Sequence, residues 1–258
     1  MQRGTFPLKS LRNLAKWNKN TLQPSVLIGN DVVDLSLPET QEKDRLSRFA
    51  KRVCTREEQT LLAGTDKPHL MLWALWSAKE TAYKIAKKHR SETIFSPIRF
   101  IVDPASLPLF SGESVAIGNV RYQGTEIQVR WHSAEEYIHC VGIWADRSLN
   151  EVLVAVAREG DRSLQEVVGE KPLSLREELS APSPASQQAR QLAKQLLAEQ
   201  GFRDVEIVRE QNQERFDPPR AWYHGRLLAG CDLSLSHHGR FVAAAVWVEG
   251  DVARAESG

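Results

Sequence analysis

The sequence predicts an α+β protein built as a pseudo-dimer of two similar halves, and three observations carry that expectation. First, Leu70 to His89 reads as one amphipathic helix, with Met71, Leu75, Ala78, Ala82 and Ile85 recurring at spacings of four, three, four and three. Second, strand-like segments punctuated by proline and glycine fill residues 98–145. Third, the order repeats. The helix through Lys84 leads to Ile98–Val102 and closes on Cys140-Val141-Gly142-Ile143-Trp144, while the helix through Lys194 leads to Val205–Val208 and closes on Val242–Trp247. Such a match of order alone is weak evidence, and chance similarity of α+β segments is its alternative.

The 258 residues suffice for one large domain or two small ones, and 41% apolar with 26% charged residues is ordinary for a soluble protein. A formal net charge of +1 gives no reason to expect a nucleic-acid partner. No apolar run approaches the roughly 18 residues of a bilayer span, so no membrane partner is expected. Cys54, Cys140 and Cys231 are odd in number and far apart, with no C-x-x-C or Cys/His spacing. That argues against zinc and disulfides and for reduced thiols in a cytoplasmic protein.

Taken in order, residues 1–24 form a basic arm: the first 30 residues hold five Lys or Arg and no acid, which an organellar transit segment would also show. Residues 25–150 form a first half. Val26 to Leu35 reads as a buried strand, ended by Pro38, and Gln41 to Ala63 reads as helical, with Thr55-Arg56-Glu57-Glu58 as a capping box. Gly64 and Pro68 precede the Leu70–His89 helix. Strands follow at Ile98–Val102, Ser114–Val120, Glu126–His132 and Tyr137–Trp144. Residues 151–186, with Gly160, Gly169, Pro172 and Ala181-Pro182-Ser183-Pro184, read as a linker. Residues 187–250 form a second half: a helix Gln187–Gln200 closed by Gly201, a strand Val205–Arg209, a loop through Phe216-Asp217-Pro218-Pro219-Arg220, and Ser236-His237-His238-Gly239-Arg240 at a turn into the strand Val242–Val248. Residues 251–258 are a tail.

Asp31 interrupts an apolar strand, where a carboxylate needs either a cationic partner or a metal. Glu80 and Lys84, one turn apart, read on spacing alone as an ordinary surface ion pair. Brought beside Asp31, Glu80 would complete two carboxylates of the kind that hold Mg²⁺ together with waters and substrate phosphates. Lys84 would then be a point charge suited to a phosphoryl leaving group. Ser236 and His237 are not a hydrolase pair, because adjacent strand residues point to opposite faces and no G-x-S-x-G elbow exists. They hold phosphates or cap a hairpin.

These motifs resemble one family. Gly29-Asn30-Asp31-Val32-Val33-Asp34 is similar to the G-x-D motif of the 4′-phosphopantetheinyl transferase superfamily, and Trp76-Ser77-Ala78-Lys79-Glu80-Thr81-Ala82-Tyr83-Lys84 to its W-S-x-K-E-x-x-x-K motif. Arg48-Phe49 through Thr55-Arg56-Glu57-Glu58 resembles the R-F…T-x-x-E segment between them. Ser236-His237-His238-Gly239-Arg240 is similar to the S-H-S-G-R motif of the surfactin-type members, with the order of the two halves reversed as in a circular permutation. Phe216–Arg220 resembles the G-x-P loop before it. The resemblance implies the fold of that superfamily, with the site in the cleft between halves. It implies Mg²⁺-dependent transfer of the phosphopantetheine arm of coenzyme A to a serine of an apo acyl or peptidyl carrier protein by a monomer. Asp31, Glu80 and Lys84 would be catalytic and Asp31, Glu80 and Asp34 the metal ligands, Asp34 replacing an acidic residue that the surfactin type carries at the place of Val33. Ser236, His237, Lys79, Arg220, Arg190 and Lys194 would bind coenzyme A. The alternative is a catalytically idle paralogue that still binds coenzyme A or a carrier.

Overall fold

Strand β1 (Leu27–Asp34) lies at one edge of a five-stranded sheet, and the rest of the molecule is arranged on its two faces and its free edge. The computed structural model describes residues 25–104, 107, 113–170, 172–212 and 215–250. The expected basic arm and tail lie outside these. The sheet runs in the order β1, β5 (Tyr137–Trp144), β4 (Thr125–Ser133), β3 (Ser114–Tyr122), β2 (Ile101–Val102), with every neighbouring pair antiparallel. Between β1 and β2 come α1 (Pro38–Gln41), α2 (Lys43–Val53), α3 (Arg56–Ala63) and α4 (Pro68–His89).

Helix α4 packs on this sheet through the periodic face read from the sequence. Leu75, Ala78, Ala82 and Ile85 are fully buried with Val33, Val129 and Trp131, and each large apolar side chain so covered contributes roughly 2 kcal/mol. Glycine sets how close the helix comes. A Cβ at Gly29 would lie 2.3 Å from Thr81 O, so only glycine lets β1 meet the helix backbone there.

The second half contains β6 (Leu153–Arg158), α5 (Arg162–Glu170), α6 (Leu175–Leu179), α7 (Pro184–Glu199), β7 (Val205–Val208), β8 (Gln211–Asn212), β9 (Arg215–Phe216), β10 (Arg220–Tyr223), β11 (Arg226–Leu227), β12 (Cys231–His238) and β13 (Phe241–Val248). Strand β13 lies between β12 and β6, both antiparallel to it. Ala245 and Trp247 of β13 pack with Val26, Ile28 and Val141, and Phe241 and Ala243 with Val32. This joins the second half to the face of β1 opposite α4.

Two expectations need correction. The stretch read as a linker holds a strand and two helices, because Gly160 serves a turn at φ 88° and Ser174 with Glu177 forms a capping box rather than a flexible run. The strand expected over Ile98–Val102 is reduced to Ile101–Val102 behind a 3-10 turn at Pro97–Arg99. There the Pro97 and Phe100 carbonyls accept from Lys79 Nζ at 3.1 and 2.6 Å.

One buried arrangement occurs in both halves. Glu58, in the Thr55 capping box, pairs with Lys79 at 2.8 Å and accepts from Val102 N. Glu177, in the Ser174 capping box, pairs with Lys194 at 2.9 Å and accepts from Ile207 N at 2.8 Å. In these contacts Lys194 resembles Lys79.

Candidate active site

The free edge of β1 joins no strand ladder among the described residues, and its polar groups still have to be satisfied. From the second half, β12 lends side chains to the donors: Ile28 N donates to Asp232 Oδ2 at 2.7 Å, Asn30 N to Ser234 Oγ at 2.9 Å and Asp34 N to His238 Nδ1 at 3.0 Å. From α4, Lys88 Nζ donates to Ile28 O at 2.8 Å and Lys84 Nζ to Asn30 O at 2.6 Å. Lys88 also pairs with Asp232 at 2.8 Å.

Asp31 points to the α4 side of the strand, where Lys84 Nζ reaches its Oδ1 at 3.0 Å. Only 14% of its side chain is exposed. Burial raises its pKa, and Lys84 opposes the rise. Glu80, half-buried one turn before Lys84, is pushed up to about 7, first by burial, then by the Asp31 carboxylate, with Lys84 again opposing. One lysine thus faces two carboxylates, and the charge of Asp31 raises the proton affinity of Glu80. An all-oxygen pair short of positive charge fits a hard divalent cation such as Mg²⁺ that takes few protein ligands. Among the described residues no cluster of three His, Cys, Asp or Glu side chains is placed to hold a metal.

The other expected residues divide. His237 belongs with the pair: it is exposed, but its ring is covered enough that burial, followed by Lys84, lowers its pKa while Asp31 opposes. Its Nε2 lies 3.3 Å from Ser186 Oγ near the start of α7. Ser236 is buried, and its hydroxyl has no partner among the described residues. Arg220 lines a cavity of about 1070 Å³ with Tyr83, Lys87 and Lys88 of α4 and Arg209 across from them, one to two turns beyond Glu80.

Four expected ligands are committed elsewhere. Asp34 is on the face of β1 opposite Asp31 and fully buried; it takes Arg240 N and Nε on Oδ2 at 3.0 Å and Ser36 N and Oγ on Oδ1. Burial opposes ionisation, but the Arg240 and Ser36 bonds win and hold its carboxyl well below the usual range. It is therefore an ion-pair partner and not a metal ligand. Lys79 is fully buried against Glu58. Arg190 donates to the Ile207, Ser186 and Ser180 carbonyls, and Lys194 to Glu177 and Pro172 O. None of these three faces a cleft, and neither Arg190 nor Lys194 lies on an exposed helix face.

Val33, on the same side of β1 as Asp31, is a core residue packed under α4, so the strand offers no second acid there. Sequence reading missed Lys87, Lys88, Asp232, Ser234 and the role of His238. The signal for the last three was present as polar residues at every second position from Asp232 to His238, alternating with Leu233 and Leu235.

A family model described as the 4′-phosphopantetheinyl transferase superfamily matches residues 27–157, half of the chain. The chain belongs to this superfamily. The match holds Asp31, Glu80 and Lys84 and ends before Ser236 and His237. Among solved structures, holo-(acyl-carrier-protein) synthase of Thermotoga maritima is similar at 16% identity, covering 58% of this chain and 79% of that one with a TM-score of 0.33. The search of curated proteins gives no match. Membership in the superfamily makes phosphopantetheine transfer the general chemistry of the chain.

Proposed function

We propose that this protein transfers the 4′-phosphopantetheine arm of coenzyme A to a serine of an apo carrier protein, releases adenosine 3′,5′-bisphosphate and depends on Mg²⁺. The observation that carries the reading is the Asp31–Glu80 pair beside Lys84, with Glu80 pushed up to about 7. Asp31 and Glu80 would hold Mg²⁺, which when bound would neutralise charge on the pyrophosphate. The carboxylate of Glu80 is suited to accept the proton of the attacking serine hydroxyl. The serine oxygen forms its bond to the phosphorus that carries pantetheine, and the bond from that phosphorus to the departing bisphosphate oxygen breaks. Lys84 gives two N–H groups to Asn30 O and Asp31 Oδ1, and its third can meet the charge on that leaving oxygen. Lys87 and Arg220 supply positive charge to the cavity next to this pair, where the nucleotide end fits, while Lys88 in its lining is paired with Asp232. His237, exposed beside the pair, completes the wall, while Ser236, on the opposite face of its strand, is buried.

The shared capping-box, lysine and strand arrangement supports a pseudo-dimer whose second half begins at β6, with the halves in permuted order. Both walls of the cleft come from one chain, which supports a monomer. The free thiols of Cys54, Cys140 and Cys231 are in keeping with the cytoplasm, and no helix among the described residues is long and apolar enough to cross a membrane.

The test is incubation with coenzyme A, Mg²⁺ and a panel of apo carrier proteins, read by intact mass. One carrier gaining a phosphopantetheine arm is the expected result. Tight binding of coenzyme A with no carrier modified would establish the idle-paralogue reading instead.

A further inference from the structure

The three side chains that β12 lends to β1 stand at one constant offset. Ile28 pairs with Asp232, Asn30 with Ser234 and Asp34 with His238, each 204 positions apart. A strand edge is usually satisfied by another strand's backbone; here a comb of side chains does it, and its teeth are alternate residues on one face of β12. Ser236 is the fourth tooth, in step with Val32, and its hydroxyl is the one left without a partner among the described residues.

We propose that Asp232, Ser234 and His238 are positioning residues that fix Asp31 against Glu80 and Lys84 from the opposite half of the molecule. The residue before Asp31 is held from both sides: Asn30 N by Ser234 Oγ at 2.9 Å and Asn30 O by Lys84 Nζ at 2.6 Å. The same Lys84 nitrogen holds Asp31 Oδ1, so a slip of β1 along its edge would break the backbone bond and the carboxylate bond together. At one end Asp232 takes Ile28 N while its carboxylate pairs with Lys88, which ties the comb to α4 itself. At the other end His238 takes Asp34 N on Nδ1, so its proton resides on Nε2. Just beyond, Gly239, at φ 55°, lets the β12–β13 turn approach until a Cβ would lie 2.6 Å from Asp34 Oδ2. Arg240 then closes the end on Asp34. Glu80 and Lys84 ride on α4, which β1 contacts directly, while the comb comes from residues more than 200 positions away. The second half therefore sets the distance between catalytic groups that all belong to the first.

This rests on the reading of Asp31 and Glu80 as the metal-holding pair. The experiment compares the wild type with Ser234→Ala, His238→Ala and His238→Asn, whose amide oxygen stands in for Nδ1. Three readouts are taken: amide exchange across residues 26–36, Mn²⁺ affinity by electron paramagnetic resonance without substrate, and kcat and KM for transfer. The alanine variants should exchange faster at Asn30 or Asp34. They should bind Mn²⁺ about tenfold more weakly and lose kcat with KM for coenzyme A changed less than about twofold. His238→Asn should restore all three. Faster exchange with Mn²⁺ affinity and kcat unchanged would make the comb merely structural and overturn the proposal, as would failure of the wild type to bind Mn²⁺. If Ser234→Ala does not fold, the two His238 variants decide alone. A wild type that binds Mn²⁺ but modifies no carrier would refute the transferase reading and leave the comb to be judged by exchange and Mn²⁺.

Discussion

Glu80 keeps its proton to about pH 7 because its carboxylate is half-buried beside Asp31, and only Lys84 opposes. The stability consequence has a definite sign. In the unfolded chain Glu80 ionises near 4.5, in the fold near 7, so folding binds a proton between those values and stability falls as pH rises through that window. Glu80→Gln should therefore stabilise the metal-free protein by about 1–3 kcal/mol at pH 8 and by almost nothing near pH 4. Thermal melting at the two pH values checks this, and Mg²⁺ should narrow the gap at pH 8. A motif and its helical spacing drew attention to Asp31, Glu80 and Lys84, and the fold brings Lys84 onto Asp31 with Glu80 nearby. Asp34, Lys79, Arg190 and Lys194 were misread because what decides a charged residue's role is its partner. The partner of Asp34 is 206 positions away, and those of Lys79 and Lys194 lie on other helices.

Helix α4 and strand β1 meet where Gly29 abuts the carbonyl of Thr81, and a side chain there would push apart the two elements that carry the site. Gly29→Ala should destabilise the fold by about 1–3 kcal/mol or more and reduce Mn²⁺ affinity even where the protein stays folded. A denaturation curve with a binding titration reads both. Unchanged metal affinity would mean that the close approach serves packing alone. Among the elements, α4 and the strand Tyr137–Trp144 were legible because apolar periodicity and flanking turns agree there. Ile98–Val102 was not, because a buried lysine takes carbonyls that a ladder would otherwise use. Residues 151–186 were not either, because glycine and proline counts obscure a capping box and two short helices.

At the scale of the whole molecule, the first half carries the acid pair and the lysine, and the second half brings the residues that hold β1 and face the cleft. The expectation of two similar halves came from the repeated order of helices and strands, and the shared Glu–Lys arrangement supports the proposal of a duplicated fold. The likeness of the Glu58–Lys79 pair to the Glu177–Lys194 pair appeared only once contacts were known. The way β12 reaches across to β1 was not legible, since nothing local in either strand names the other. The central claim is that the cleft wall formed by Asp31, Glu80 and Lys84 performs group transfer. The most direct measurement is the intact mass of an apo carrier after incubation with coenzyme A and Mg²⁺, using the wild type, Glu80→Ala and Lys84→Ala, each shown to be folded by circular dichroism. The account predicts a modified carrier with the wild type and a loss of rate of at least about a hundredfold in each variant. Wild-type turnover in either folded variant would contradict it.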